Sequence, residues 1–477
     1  MGRNNQEKTI EGDLFQAFVA ADAISKANAD DPKKSSFVRC ARTDKGVHAA
    51  GNLISLKLIV EDPDIVAKIN EKLPPQIRVW GIERTNGSFN CYQLCDSRIY
   101  EYLVPTYCFL PPHPKSFLGK QILELAEQEN DLDGYNARQD EVKGFWQTTD
   151  EDYLKPVIES IDSSIREEVL RRFYGLGHPT VTFSKPREKG APQDPSGELE
   201  TSIDDVPEQD QLKKQEDDVE PIPNALAEKR VPDSVDEALR ALKFAHNTAK
   251  RAWRIPKARL NRTRSTLSCF VGSIKYHNYT IDKTWKDPSA MRVIKSFDVT
   301  DEPIIIGGTE WLSLKVHGQS FMMHQIRKMV SAAALVVRCG CHEGRLQDTY
   351  LKDRLSIPKA PSLGLLLERP IFDKYNEKLA DFGREKIDFA KHDKEIQDFK
   401  NREIYQRIFE IEEKEGHFLA FFAGLDSTRS TSLLWASSAG LQGLQKEIGM
   451  HHGTGTDAPD DIKQIEEDDE PGAQEDN

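Results

Sequence analysis

Hydrophobic and polar positions change their period several times along the chain, and each change marks an element. Leu14, Phe18, Ala21 and Ile24 recur at helical spacing and predict a helix over residues 10–30. From 36 to 58 the pattern turns β-compatible. Phe37 to Ala41 and Leu53 to Leu58 read as two strands around a turn, with Ile54, Leu56 and Leu58 on one face. Residues 98–104 alternate, so Arg98, Tyr100, Tyr102 and Val104 share a face, because strand side chains repeat every two residues. Prolines at 105, 111, 112 and 114 close that unit. Helical patterns return over 155–174 and over 236–254, the latter through Val235, Leu239, Leu242 and Ala245. Two further strands are predicted, Arg292 to Val299 and Trp311 to Val316. His317-Gly318-Gln319-Ser320 breaks the second. Residues 321–338 then read as a helix whose apolar stripe is Met322, Ile326, Met329 and Ala333. A charged helix is predicted over 385–415.

Composition divides this series into units. Of 477 residues, 38% are hydrophobic and 30% charged, so part of the chain is expected to be solvated rather than packed. The net charge of −14 argues against a polyanion ligand until its distribution is read. Residues 190–237 carry a net −11 and 457–477 a net −9, which leaves the remainder at +6. A mildly basic body with two acidic segments is compatible with a polyanion ligand. The expected units are a first half over 1–117, a partly helical insertion over 118–184 and an acidic disordered linker over 185–235. A second half over 236–372, a helical extension over 373–428 and a disordered acidic tail over 429–477 follow. No run of about 18 apolar residues exists to span a membrane, and Met1–Ile10 carries no apolar signal core. Seven dispersed cysteines read as reduced thiols. Cys339-Gly340-Cys341-His342 has no companion cluster at ligand spacing, so no metal is expected.

The sharpest local feature is Arg39-Cys40-Ala41-Arg42-Thr43-Asp44-Lys45-Gly46-Val47-His48-Ala49. Thr43-Asp44-Lys45-Gly46 is a good turn, since Asp favours turn starts and Gly tolerates positive φ. Taken alone it reads as a hairpin tip. The flanking Arg39, Arg42, Lys45 and His48 change that picture, because a cationic cluster holds a carboxylate ionised and grips phosphates.

With its neighbours, the string ARTDKGVHA resembles the catalytic motif of the TruA-type pseudouridine synthases, and within them the eukaryotic Pus1-like branch. The motif's aspartate falls on Asp44. Three more segments match in order. Phe89-Asn90 through Cys95-Asp96-Ser97-Arg98-Ile99-Tyr100-Glu101-Tyr102 resembles the second motif, whose tyrosine falls on Tyr100. The stretch from Phe321 to Met329 resembles the third, whose aspartate-pairing arginine falls on Arg327. Ala360 to Leu367 resembles the closing motif. CDSR, HQIRKM and Asp287-Pro288-Ser289-Ala290 point to the branch, and the resemblance covers residues 8–117 and about 236–428.

The resemblance implies an α/β (α+β) fold: two similar halves whose antiparallel sheets join into one continuous sheet, with flanking helices and a central RNA-binding cleft. It implies isomerisation of uridine to pseudouridine in tRNA, at the anticodon stem region and other sites, and in small nuclear and messenger RNA. The alternative is a catalytically inactive RNA-binding paralogue. Nuclear location, with mitochondrial forms, and a monomer are expected. Asp44 attacks C1′ of the ribose or removes a proton from C2′, and the sequence leaves both routes open. Arg327 pairs with Asp44, and Tyr100 stacks on the uracil. A uridine in a duplex must leave its stack, so Arg42 is the candidate for filling the vacated space. Lys45, His48, Arg98 and Lys328 are candidate backbone contacts. The isomerisation needs no redox change or group donor, and no dinucleotide fingerprint or phosphate-cradling loop occurs, so no cofactor is expected. One departure stands out. The family begins with a strand ahead of the first helix, whereas this chain starts near that helix, at Lys8–Gly12, so the recorded start is expected to be late or an upstream exon absent.

Overall fold

The computed structural model describes residues 9–44, 46–174, 234–281, 283–379 and 384–448. Two short strands come first, β1 (Val38–Arg39) and β2 (His48–Ala49), then β3 (Ile54–Ser55) and the long β4 (Ser97–Pro105). After the insertion follow β5 (Gly272–Lys275), β6 (Met291–Val299), β7 (Ile304–Ile306), β8 (Thr309–Gly318) and β9 (Leu365–Ile371). The main sheet runs β2-β9-β4-β8-β6-β5, with β7 pairing β8.

β4 joins sequence-distant segments. On one side it pairs antiparallel with β8, placing Arg98 opposite Gly318 and Tyr100 opposite Val316. On the other it pairs antiparallel with β9. That second ladder slips at Ile99/Tyr100: Ile99 faces Arg369 and Tyr100 faces Leu367. Glu368 is the skipped residue, so its carboxylate leaves the regular alternation, as bulges beside functional residues often arrange. It accepts from the buried Lys400 ammonium at 2.6 Å, and the same ammonium reaches Glu101 at 2.9 Å.

Expectation and structure differ in three places. The sheet is mixed, because β2 pairs with β9 in parallel, and β1 with β3 forms a separate two-stranded ladder rather than extending the main sheet. Thr43 and Asp44, between β1 and β2, are irregular. The second difference is the predicted tail. Residues 429–448 are not an unstructured segment: Thr431–Ala436 and Leu441–Ile448 are helical, and Leu433, Leu434 and Trp435 are buried in the main core. The third is the helix over 385–415, which is interrupted by a π-turn at Lys400–Tyr405. Most of the acidic linker, and the chain beyond 448, lie outside the described residues.

The helix Gln325–Arg338 forms the centre of the core. Thirteen of its fourteen residues are buried, so it is enclosed on all sides and needs no polar face. Its last residue, Arg338, pairs with Asp426 at 2.5 Å and lies over the Phe422 ring. Its first turn points toward the turn that carries Asp44.

Candidate active site

Asp44 sits in the irregular turn between β1 and β2, where the Val47 N–H donates to the Asp44 carbonyl at 3.1 Å. The approach to the turn is braced by Asn52, whose amide donates to the Ala41 carbonyl at 3.0 Å. Gly46 has φ +81, and a Cβ there would stand 3.3 Å from the Ser362 hydroxyl, so the turn packs closely on the segment before β9. The Asp44 side chain is 45% exposed.

Three groups come to this turn from other elements. His324 precedes the central helix and places Nδ1 3.7 Å from Asp44 Oδ2. It has φ +59, a left-handed conformation that non-glycine residues seldom adopt. Tyr100 enters from β4. Its phenol is pushed up to about 12 by burial, with the Cys40 and Asp44 charges adding to the rise and Arg98 opposing it. It is therefore a neutral hydroxyl in the field of Asp44. The Tyr100 ring meets Phe321 edge to face at 5.2 Å. At 8% exposure it leaves only a margin for a base, less than the full ring face a stacked uracil needs. Arg327 is buried, and its Nε donates to the Ala360 carbonyl at 2.5 Å while Ala360 N–H returns a bond to the Arg327 carbonyl. Arg327 is thereby fixed to the segment whose Ser362 packs on the Asp44 turn.

Asp44, Arg42, Thr43 and Ser362 line a cleft of about 1810 Å³. The C-terminal extension also lines it, through Arg384, His392 and Arg407. Tyr100, His324 and Arg327 do not line it.

Comparison with known proteins fits this arrangement. Residues 268–373 match the family model described as tRNA pseudouridine synthase. The chain is 41% identical to tRNA pseudouridine synthase 1 of Yarrowia lipolytica, over all of this chain and 81% of that protein. It is 40% identical to tRNA pseudouridine synthase 1 of Schizosaccharomyces pombe, over 98% of this chain and 87% of that one. The tRNA pseudouridine(27/28) synthase of Saccharomyces cerevisiae is 33% identical over 80% and 82%. The chain belongs to the tRNA pseudouridine synthase family.

In this synthase the other residues singled out in the sequence fall into different situations. Arg42 is exposed on the cleft wall, as a residue that enters a vacated stack must be. Arg98 is half-buried and bridges two loops, donating to the Cys40 carbonyl at 3.1 Å and the Gln319 carbonyl at 3.3 Å. Its guanidinium thus ties the strand leading to Asp44 to the loop leading to His324. Lys328 is half-buried on the first turn of the central helix. Lys45 lies outside the described residues. Two members of the expected cationic cluster supply less charge than the sequence suggests. Arg39 is paired with Glu11 from the first helix. His48 is pushed down to about 4 by burial and by Arg407, so near neutral pH it is uncharged and cannot serve as a cationic phosphate contact.

His324, Ser362 and Phe321 went unremarked as site residues, though all three lie inside quoted motifs. Their signal was proximity in sequence to Arg327 and to the closing motif, without a charge pattern to single them out. Among the described residues no group of three or more His, Cys, Asp or Glu is placed to hold a metal, and Cys339 and Cys341 are buried in the core. Among the described residues no helix is long and apolar enough to cross a membrane.

Proposed function

We propose that this synthase isomerises uridine to pseudouridine in tRNA, with Asp44 as the carboxylate that engages the ribose of an extruded nucleotide. The observation that carries the reading is an exposed carboxylate in a cleft, 3.7 Å from a histidine, on a turn that packs against the segment to which a buried arginine is bonded. The reaction breaks the C1′–N1 bond, turns the uracil and joins C5 to C1′, and the C5 hydrogen leaves as a proton. Asp44 supplies either the nucleophile at C1′ or the base at C2′. Arg327, held to Ala360, pairs with Asp44 and orients it. Arg42 fills the space that the base leaves. Recognition rests on RNA shape and phosphate contacts, so affinity falls with salt.

The test uses tRNA tritiated at uracil C5. Wild-type protein releases tritium and Asp44→Ala does not, while both bind the RNA. Binding without release by the wild type would instead support an inactive RNA-binding paralogue. Small nuclear and messenger RNA as further substrates, action as a monomer, and a nuclear location belong to the same proposal. They are checked by repeating the assay on those RNAs, by sedimentation and by fractionation of cells.

A further inference from the structure

The ends of β4, β5, β6 and β8 nearest Asp44 carry a band of cations and exposed aromatic rings that the catalytic residues do not use. Arg98 at the start of β4 pairs across from Gly318 at the end of β8, and Gly318 pairs on its other side with Ile294 of β6. The Gln319 N–H then donates to the Val293 carbonyl at 2.9 Å, which brings the start of β6 alongside Arg98. Arg292 is there, half-buried, its guanidinium donating to the Met291 carbonyl at 2.8 Å and to the Ser289 carbonyl. Tyr92 is 61% exposed. One strand farther, Lys275 of β5 lies opposite Met291. Lys275 Nζ stands 3.8 Å from the centre of the Trp285 ring and donates to the Trp285 carbonyl at 2.9 Å. Trp285 is 41% exposed, so its indole is held by a cation but left open to solvent.

Charge complementarity identifies the occupant. Arg98, Arg292, Lys275 and Lys295 lie along these strand ends, and nearby acids are already engaged. Asp287 pairs with Lys283 at 3.1 Å and caps Ser289, and Asp96 accepts from the Lys374 N–H at 2.9 Å. Aromatic rings alternating with cations are the pattern that binds unpaired nucleotides, rings against bases and cations against phosphates.

We propose that Tyr92 and Trp285 form a second nucleotide subsite, where they stack on unpaired bases flanking the target uridine while Arg292 and Lys275 hold the intervening phosphates. This rests on the uridine-isomerising reading above. It assigns the protein a substrate preference: RNA whose target is next to single-stranded nucleotides binds more tightly than RNA whose target is flanked by duplex on both sides.

Tritium release from a tRNA anticodon stem-loop measures both readings separately. If wild type releases no tritium, the isomerase reading fails by itself. If it does, Tyr92→Ala and Trp285→Ala are each expected to raise KM roughly ten-fold, with the loss falling on KM rather than kcat. Tyr92→Phe, which keeps the ring, is expected to restore KM. Phe244→Ala, which removes an exposed ring on a helix of the insertion side, is the control with unchanged KM. Unchanged KM in both alanine variants, or a Tyr92→Phe as weak as Tyr92→Ala, overturns the subsite. So does equal wild-type affinity for stem-loop and fully duplexed RNA. Both rings are exposed, so circular dichroism of the variants is expected to match wild type.

Discussion

His324 Nδ1 stands 3.7 Å from Asp44 Oδ2 and reaches that position from a left-handed backbone at the start of the central helix. The conformation costs about 1 kcal/mol or more, and such strain persists only where its surroundings enforce it. Here the enforcing element is a helix buried on all sides. The imidazole is therefore held against the carboxylate by the core.

The first prediction follows from that contact. His324→Ala removes a polar neighbour of Asp44 without touching the carboxylate itself. kcat for tritium release is expected to fall about ten-fold with KM nearly unchanged, whereas Asp44→Ala falls to roughly one-thousandth of wild type or less. A His324→Ala enzyme as inactive as Asp44→Ala would make His324 a direct participant. One as active as wild type would make the contact incidental.

The second concerns Arg327. Its Nε–H···O bond to Ala360 belongs to the planar guanidinium, and a lysine ammonium cannot reproduce that geometry alongside a second contact. Arg327→Lys keeps the charge and loses the anchor. It is expected to lower kcat at least ten-fold and to lower the melting temperature by several degrees, since the residue is buried. Wild-type kcat in Arg327→Lys would show that charge alone suffices.

How much of this was legible in the chain depends on how local each cause is. β4, β6 and β8 announce themselves because each buries alternate or successive apolar residues over nine or ten positions. β1, β2 and β3 are two residues each, too short for any period to set their ends. The helix predicted over 321–338 begins at Gln325, because left-handed His324 stops it from extending backwards. Asp44 was readable from its motif. The neutral state of His48 was not, because its cause is burial together with Arg407, a residue far along the chain. Likewise nothing near Arg39 shows that Glu11 takes its charge. The ordered residues 431–448 were hidden by the acidic composition that follows them, although Leu433, Leu434 and Trp435 are an apolar cluster in plain view.

The third prediction tests the polar group beneath β4. Lys400 is almost wholly buried between Glu101 and Glu368, and Tyr405 donates to Glu101 at 2.6 Å. Burial alone raises the Glu101 pKa, but Lys400, Ser313 and Tyr405 outweigh it and hold the carboxyl below its usual range. Lys400→Met leaves two buried carboxylates without their cation and is expected to cost about 3–5 kcal/mol in urea unfolding. Adding Glu101→Gln to that variant is expected to recover part of the loss. Full stability in Lys400→Met would mean that solvent reaches the pair. Because Glu368 is the residue skipped where β9 passes from Tyr100 to Ile99, the single variant is also expected to lower kcat.

The last prediction concerns acid stability. His246 is pushed down to about 2, first by burial and then by Lys250 and His113, and its ring lies against Trp146 and Phe173. It is thus neutral in the folded protein, whereas an unfolded histidine titrates near 6.5. Below that value the unfolded state binds a proton that the folded state does not, so acid favours unfolding. The stabilising contribution is complete above about pH 6.5 and is lost as pH falls toward the folded value. Its slope is at most about 1.4 kcal/mol per pH unit. His48, pushed down to about 4, adds to the slope in the same direction. Carboxylates contribute little between pH 6.5 and 5.5, so that window isolates the histidines. His246→Phe keeps a ring against Trp146 and removes the titrating group. Its unfolding free energy is expected to fall less steeply than wild type across this window, by up to about 1 kcal/mol per pH unit. Parallel curves for the two proteins would show that His246 takes up its proton while still folded.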